Sequence, residues 1–173
     1  IWYQGEGNGD QPETYREMFG AMIELWRKKF EQPELPFYWA QLASWAGGDG
    51  TGGDNTDWAF LREAQHQTLE LPHTGQAILM DVGDAADIHP RNKQDVGDRL
   101  ARIALAEHYG EAVAFRGPVN TSFTMKSDGI VLNFENATGL TTRDGEAPRG
   151  FEVAAADLNF VPATATIEGE TIL

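Results

Sequence analysis

Cysteine is absent from the 173-residue sequence, which excludes disulfide cross-links, thiolate nucleophiles and every cysteine-based metal site. Basic residues are scarce: 13 Lys and Arg stand against 27 Asp and Glu, for a formal net charge of −14. A surface of that sign repels polyanions and anionic membranes, so neither a nucleic-acid nor a membrane partner is expected. A cleft can carry a local field of the other sign, so an anionic small substrate stays open. No run approaches the roughly 18 consecutive apolar residues that a bilayer span requires. The four histidines include no His-x-x-x-His pair, and the Asp-rich stretch 81–87 lacks the EF-hand pattern. Neither a metal nor an organic cofactor is therefore expected.

What is present is enough for a sizeable core, since 41% of the residues are hydrophobic and 10% aromatic. The opening IWYQGEGNGD reads as the end of a buried strand running into a Gly- and acid-rich turn, and the last residues read as a strand. Both ends suggest an interior piece of a longer protein. A helix is expected from about Pro12, opened by a capping-box-like Asp10 and Glu13. Its apolar stripe is Tyr15, Met18, Phe19, Met22, Ile23, Trp26 and Phe30. LPFYWAQLA (35–43) reads as a buried strand, and SWAGGDGTGGDNT (44–56) as a long surface loop resembling a lid. Asp54, Asn55 or Thr56 can cap a helix over 57–70 that aligns Trp58, Leu61, Gln65 and Leu69. AILMDV (77–82) is the next apolar run. A helix over 92–108 then turns Val96, Leu100, Ile103 and Ala104 inward.

This alternation predicts an α/β fold, a parallel sheet flanked by helices, over 1–110. From about Glu111 short β-prone segments separated by turns (AVAFRG, NTSFTM, IVLNFE, GFEVAA, ATATIEG) predict the start of a small antiparallel β domain, over 111–173. In open α/β sheets ligands bind beyond the carboxyl ends of the strands. That rule selects QGEGN (4–8), QLASW (41–45) and DVGDAADIHP (81–90).

His89 is the candidate general base, with Asp81, Asp84 and Asp87 available to orient its imidazole; an unperturbed imidazole takes and returns a proton near neutrality. The plainer reading is a histidine packed on Pro90 at a helix entry. Gln4, Glu6 and Asn8 can hydrogen-bond at the site, an amide donating to a developing oxyanion, or can simply build a turn around Gly5 and Gly7. Gln41 ends the second strand at the same edge. Arg62 can meet a substrate carboxylate, or pair with Glu63 or Glu24 on the surface.

WYQGEGN, FYWAQLA, LREAQ, LPHTGQAILMDVGDAADIHPRNKQDVGDRLA and GPV…GFEVA together resemble the bacterial sialate O-acetylesterases, a branch of the SGNH-type serine hydrolases. DIHPRNKQDVGDRLA (87–101) is the most specific part. The resemblance implies an SGNH/flavodoxin-like parallel sheet, a periplasmic or secreted address, and an acetylated sugar as substrate. It further implies a serine in a Gly-Gln-Ser-Asn-type motif upstream of Ile1, with His89 as the base. Two departures stand out. The Asp-x-x-His pattern of SGNH hydrolases meets Ala86 three residues before His89, which leaves Asp87, with Asp84 as the fallback, to orient it. Gly7 replaces the serine common in relatives at Gly-Glu-Ser-Asn. Two other readings remain: a glycoside hydrolase pairing Glu6 with Asp84 or Asp87, and a non-catalytic carbohydrate-binding protein stacking sugars on Trp45 and Trp58.

Overall fold

The computed structural model describes residues 1–46 and 56–173. These form two compact units, Ile1–Phe115 and Arg116–Leu173. The first contains α1 (Pro12–Lys29), β1 (Phe37–Ala40), α2 (Thr56–Gln67), β2 (Thr74–Ala77) and α3 (Lys93–Glu107). β1 and β2 are parallel, with Phe37 opposite Thr74 and Ala40 opposite Ala77. Trp2 lies along the other side of β1 through a parallel bridge to Trp39. There the Trp2 N–H donates to the Tyr38 carbonyl (3.2 Å) and the Ala40 N–H to the Trp2 carbonyl (2.9 Å). Three extended segments thus run side by side in chain order, joined by helical crossovers.

Successive strand residues point to opposite faces, and β1 is apolar on both. Phe37 and Trp39 enter one core with Tyr15, Phe19 and Ile23 of α1 and Trp58, Leu61 and Ala64 of α2. Tyr38 and Ala40 face a second core built from Ala77, Leu79, and Leu100 and Ile103 of α3. The sheet is therefore covered on both sides, as parallel sheets require. Within the first core, Phe19 meets Trp39 edge-on at 5.1 Å between ring centroids. Ile23 and Leu61 are fully buried, each contributing about 1.5–3 kcal/mol relative to exposure.

Several sequence expectations shift. α1 starts at Pro12, but its N-cap is Gln11 with no side-chain cap bond, so the Asp10–Glu13 box does not form. Met18 and Phe30 of the expected stripe are exposed, whereas Arg27 is buried. The Arg27 guanidinium donates to the carbonyls of Leu35 (3.1 Å), Pro72 (2.7 Å) and His73 (3.2 Å), tying α1 to the segments entering β1 and β2. α2 passes at Thr68 into a 3-10 turn, Thr68–Glu70. The proposed caps Asp54 and Asn55 lie outside the described residues, as do residues 47–55 of the Gly-rich loop and the side chain of Thr56. α3 has the expected inward residues Leu100 and Ile103 and an Asn92 cap whose side chain accepts from the Asp95 N–H (3.1 Å).

The largest displacement concerns β2. The strand is the polar-looking Thr74–Ala77, and Met80–Val82 is a 3-10 turn. Ala77 and Leu79 are buried while Ile78 and Met80 are about half exposed, so the burial alternates over 77–80, but the strand pairing ends at Ala77 and the chain turns from Met80. Thr74, Gly75 and Gln76 fit the sheet for specific reasons. Gln76 Oε1 accepts from Trp39 Nε1 at 2.7 Å. At Gly75 a Cβ would overlap Ile103 Cγ2 and lie 2.9 Å from Tyr38 Cδ1.

The second unit contains β3 (Val119–Met125), β4 (Ile130–Glu135), β5 (Phe151–Val153), β6 (Val161–Ala163), β7 (Ile167–Glu168) and β8 (Thr171–Ile172). They form a four-stranded sheet in the order β3-β4-β8-β7 and a two-stranded sheet β5-β6. All pairings are antiparallel. AVAFRG forms no strand; its Phe115 packs against the second core of the first unit.

Because α3 leaves no room above Gly75, Gly75→Ala is expected to lower stability by about 1–3 kcal/mol, the usual cost of overpacking. Urea denaturation followed by tryptophan fluorescence measures it.

Candidate active site

The three extended segments end at one edge of the sheet, and the residues just beyond them form the site region. After Trp2 and Tyr3 the chain turns at Gly5, which is buried and has φ +142°. A side chain at Gly5 would be strained, and its Cβ would lie 3.0 Å from Leu61 and 3.5 Å from Gln65 Nε2. Gly5 therefore lets the turn sit directly on α2. The 3-10 turn Glu6–Asn8 follows. Gln4 Nε2 donates to Asn8 Oδ1 at 2.8 Å, so Asn8 is engaged with Gln4 instead of capping α1. The Glu6 carboxylate is half-buried. Burial first, and Glu6 in addition, pushes the Tyr3 and Tyr15 phenols above their ordinary value.

A buried amide links this turn to the end of β1. Gln65 of α2 is fully buried; its Oε1 accepts from the Leu42 N–H (3.0 Å) and its Nε2 donates to the Gln4 carbonyl (3.1 Å). The Tyr15 hydroxyl donates to the same carbonyl at 3.0 Å. Gln65 is thus a staple between two strand ends. The sequence aligned it with Trp58, Leu61 and Leu69 on the helix, but its pairing with Leu42 depends on contacts remote in sequence.

Gln41 is also buried, its N–H bonded to the Ala77 carbonyl (2.9 Å) and its Nε2 donating to the Arg62 carbonyl (3.3 Å). Arg62 is half-buried, and loss of solvation lowers its guanidinium from the ordinary value. Neither Glu63 nor Glu24 forms an ion pair with it among the described residues. Trp58 lies in the first core with Trp45 packed on it at 5.3 Å. Trp58 is therefore not presented for sugar stacking.

The loop 78–92 carries His89. It is fastened to the segment after β1: Ser44 Oγ donates to the Met80 carbonyl (2.8 Å), and the Ala46 N–H to the Ala85 carbonyl (3.0 Å). A Cβ at Gly83 would collide with Ser44 Oγ, O and N, so only glycine permits this approach. Ile88 packs against the first core and Pro90 is buried. Between these two anchors the His89 side chain projects outward, 81% exposed.

Three carboxylates that sequence left as alternatives have separate partners. Asp81 pairs in bidentate fashion with Arg99 of α3, Oδ1 to Nη1 at 2.6 Å and Oδ2 to Nη2 at 2.7 Å. Asp84 Oδ1 accepts from the Ala86 N–H (3.0 Å) and shapes the turn. Asp87 stands beside His89: Oδ1 accepts the His89 N–H at 2.9 Å and lies 3.5 Å from Nδ1. Its Oδ2 lies 3.5 Å from Arg91 Nε. The bond from the His89 N–H, helped by the charges of Arg91 and His89, holds the Asp87 carboxyl below the usual carboxylate range. Among the described residues no hydrogen bond joins Gln4, Glu6, Asn8, Gln41 or Arg62 to His89 or Asp87. Gln4 and Asn8 form one group, Gln41 and Arg62 a second, and Asp87 and His89 a third.

The fold, a parallel sheet covered by helices and followed by antiparallel sheets, is that of a carbohydrate acetylesterase. The crystal structure of such an enzyme from Xanthomonas citri matches with a TM-score of 0.88 and 45% sequence identity, covering 99% of this chain and 40% of that one. Residues 1–106 match the family model for carbohydrate esterases described as sialic acid-specific acetylesterases, and the chain belongs to that family. The sialate O-acetylesterases of Mus musculus and Rattus norvegicus are 32% and 33% identical over 154 residues, covering 77% of this chain. The chain spans 28% of the length of those relatives.

Two outcomes are expected. Gln65→Leu leaves the buried Leu42 N–H without its partner and should cost about 1–3 kcal/mol in chemical denaturation. Arg91→Ala should raise the titration midpoint of Asp87, read from its carboxyl carbon by NMR. Since folding lowers the Asp87 value, its contribution to stability is present above the ordinary carboxylate range. It is lost as pH falls through the lowered folded value.

Proposed function

We propose that the intact protein is a carbohydrate O-acetylesterase that acts on O-acetylated sialic acid through a serine acyl-enzyme, with His89 as general base and Asp87 as its orienting carboxylate. The observation that carries this reading is the Asp87–His89 pair on the loop beyond β2, in a chain whose family and structural neighbour are acetylesterases. The nucleophile is assigned to a part of the protein outside this sequence. Ser44 commits its hydroxyl to the Met80 carbonyl, and Ser122 accepts from Asn133 in the second unit.

In the proposed route His89 removes the proton as the serine oxygen bonds to the acetyl carbon, and the carbonyl oxygen takes the negative charge. Backbone and amide donors, with Gln4 as the candidate from this chain, stabilise that oxyanion. Collapse breaks the bond to the sugar oxygen, which receives the proton held by His89. Water, deprotonated by the same imidazole, then attacks the acyl-enzyme, and acetate leaves as serine regains its proton. Asp87 holds the imidazole orientation and stabilises its charged form, the role a carboxylate takes beside a catalytic histidine. Glu6, Asn8, Gln41 and Arg62 are assigned to substrate binding. The exposed half of the Glu6–Asn8 turn faces the sugar, and the half-buried Arg62 guanidinium takes its carboxylate.

The test is acetate release from O-acetylated sialic acid by the intact enzyme and its His89→Ala variant. A loss of about a hundredfold or more is expected, the scale of a general base. Equal release by both would remove His89 from the mechanism. The 173-residue chain alone is expected to release no acetate, because its serines are not the nucleophile.

A further inference from the structure

Arg99 stands outside the groups assigned to chemistry, yet it holds the beginning of the loop that carries them. It sits on α3, whose Leu100 and Ile103 are fixed in the second core, so its backbone is anchored to the sheet. From there its guanidinium donates to the Ile78 carbonyl (2.5 Å) and to both oxygens of Asp81. Ile78 is the first residue after β2, and Asp81 lies in the 3-10 turn Met80–Val82. The side chains of Arg99 and Asp81 are only 29% and 37% exposed. A two-pronged, partly shielded pair of this geometry fixes orientation as well as distance.

The opposite side of the same turn is held by Ser44 through the Met80 carbonyl and by the close approach of Gly83. The turn is therefore gripped between α3 and the segment after β1. Downstream of it the chain has short-range turn bonds, the Ala46–Ala85 bond and the Ile88 anchor before it reaches His89. We propose that the Arg99–Asp81 pair is a positioning clamp that sets the placement of the Asp87–His89 pair, with neither residue touching the substrate. This rests on the assignment of His89 as the base, and it gives a role to the loop carboxylate that Arg99 of α3 binds.

The test uses Arg99→Gln, Arg99→Lys, Asp81→Asn and the Arg99→Gln/Asp81→Asn double variant of the intact enzyme, with two readouts. Amide hydrogen exchange over residues 79–89 should rise about tenfold or more in each single variant, while amides of α1 and β1 keep their parental rates. In acetate release, kcat should fall about tenfold to a hundredfold with KM within about twofold, as expected when a catalytic group is displaced by a fraction of an ångström. The double variant should be no worse than the more impaired single one, because the two residues act as a unit. Arg99→Lys keeps the charge but not the fork, and should recover only part of the loss.

Unchanged exchange over 79–89 would overturn the clamp whatever the activity. A rise in exchange with kcat within twofold of the parent would reduce the pair to a structural contact and overturn its positioning role. A parent enzyme that releases acetate independently of His89 would instead remove the proposed mechanism, and the exchange data would still decide whether the pair holds the loop.

Discussion

Phe37, Tyr38, Trp39 and Ala40 belong alternately to two hydrophobic cores. The pleat of a strand sends neighbouring side chains to opposite faces, and here neither face tolerates water. That constraint requires α1 and α2 to cover one side and α3 the other. With helices on both faces, parallel extended segments can lie beside one another. Their carboxyl ends then fall together, and every candidate site residue lies just beyond them or on the helix that packs against them. Removing the apolar side chains from either face of β1 would free a helix layer and separate the strand ends.

The site region is held mainly by polar contacts, in contrast to the aromatic core beneath it. Gln65 joins the Gln4 and Leu42 backbones, Gln41 reaches the Arg62 carbonyl, and Ser44 grips the turn at Met80. Amides and hydroxyls suit this place because strand ends leave backbone donors and acceptors that lack a neighbour in the sheet, and burying them unpaired is costly. Glycine does the complementary work where chains must nearly touch, at Gly5 over α2 and at Gly83 against Ser44. The result is a set of loops tied down at their bases, with the candidate base His89 exposed on one of them.

Electrostatically the loop from Asp81 to His89 distributes its acids. One carboxylate faces a guanidinium on α3, one closes a turn, and one lies beside the imidazole. If all three faced His89, their mutual repulsion would oppose the ionised forms that the proposed mechanism uses. Partition among separate partners leaves Asp87 ionised beside the histidine, with Arg91 on its far side.

The sequence by itself determined the order of helices and extended segments, the apolar character of β1, the inward residues of α3 and the three stretches that follow the extended segments. These follow from local periodicity and from turn residues, and the family motifs around His89 are contiguous and legible. It misplaced β2, because Thr74, Gly75 and Gln76 look like loop residues until Ile103, Tyr38 and Trp39 are set against them. It also missed the burial of Arg27, whose carbonyl partners lie up to 46 residues away. Only the tertiary structure decided which carboxylate stands beside His89, that Gln65 staples two strand ends, and that Gly83 must be glycine. Each of those depends on a distance between residues remote in the chain, and distance across a fold is set by packing, which no local pattern encodes.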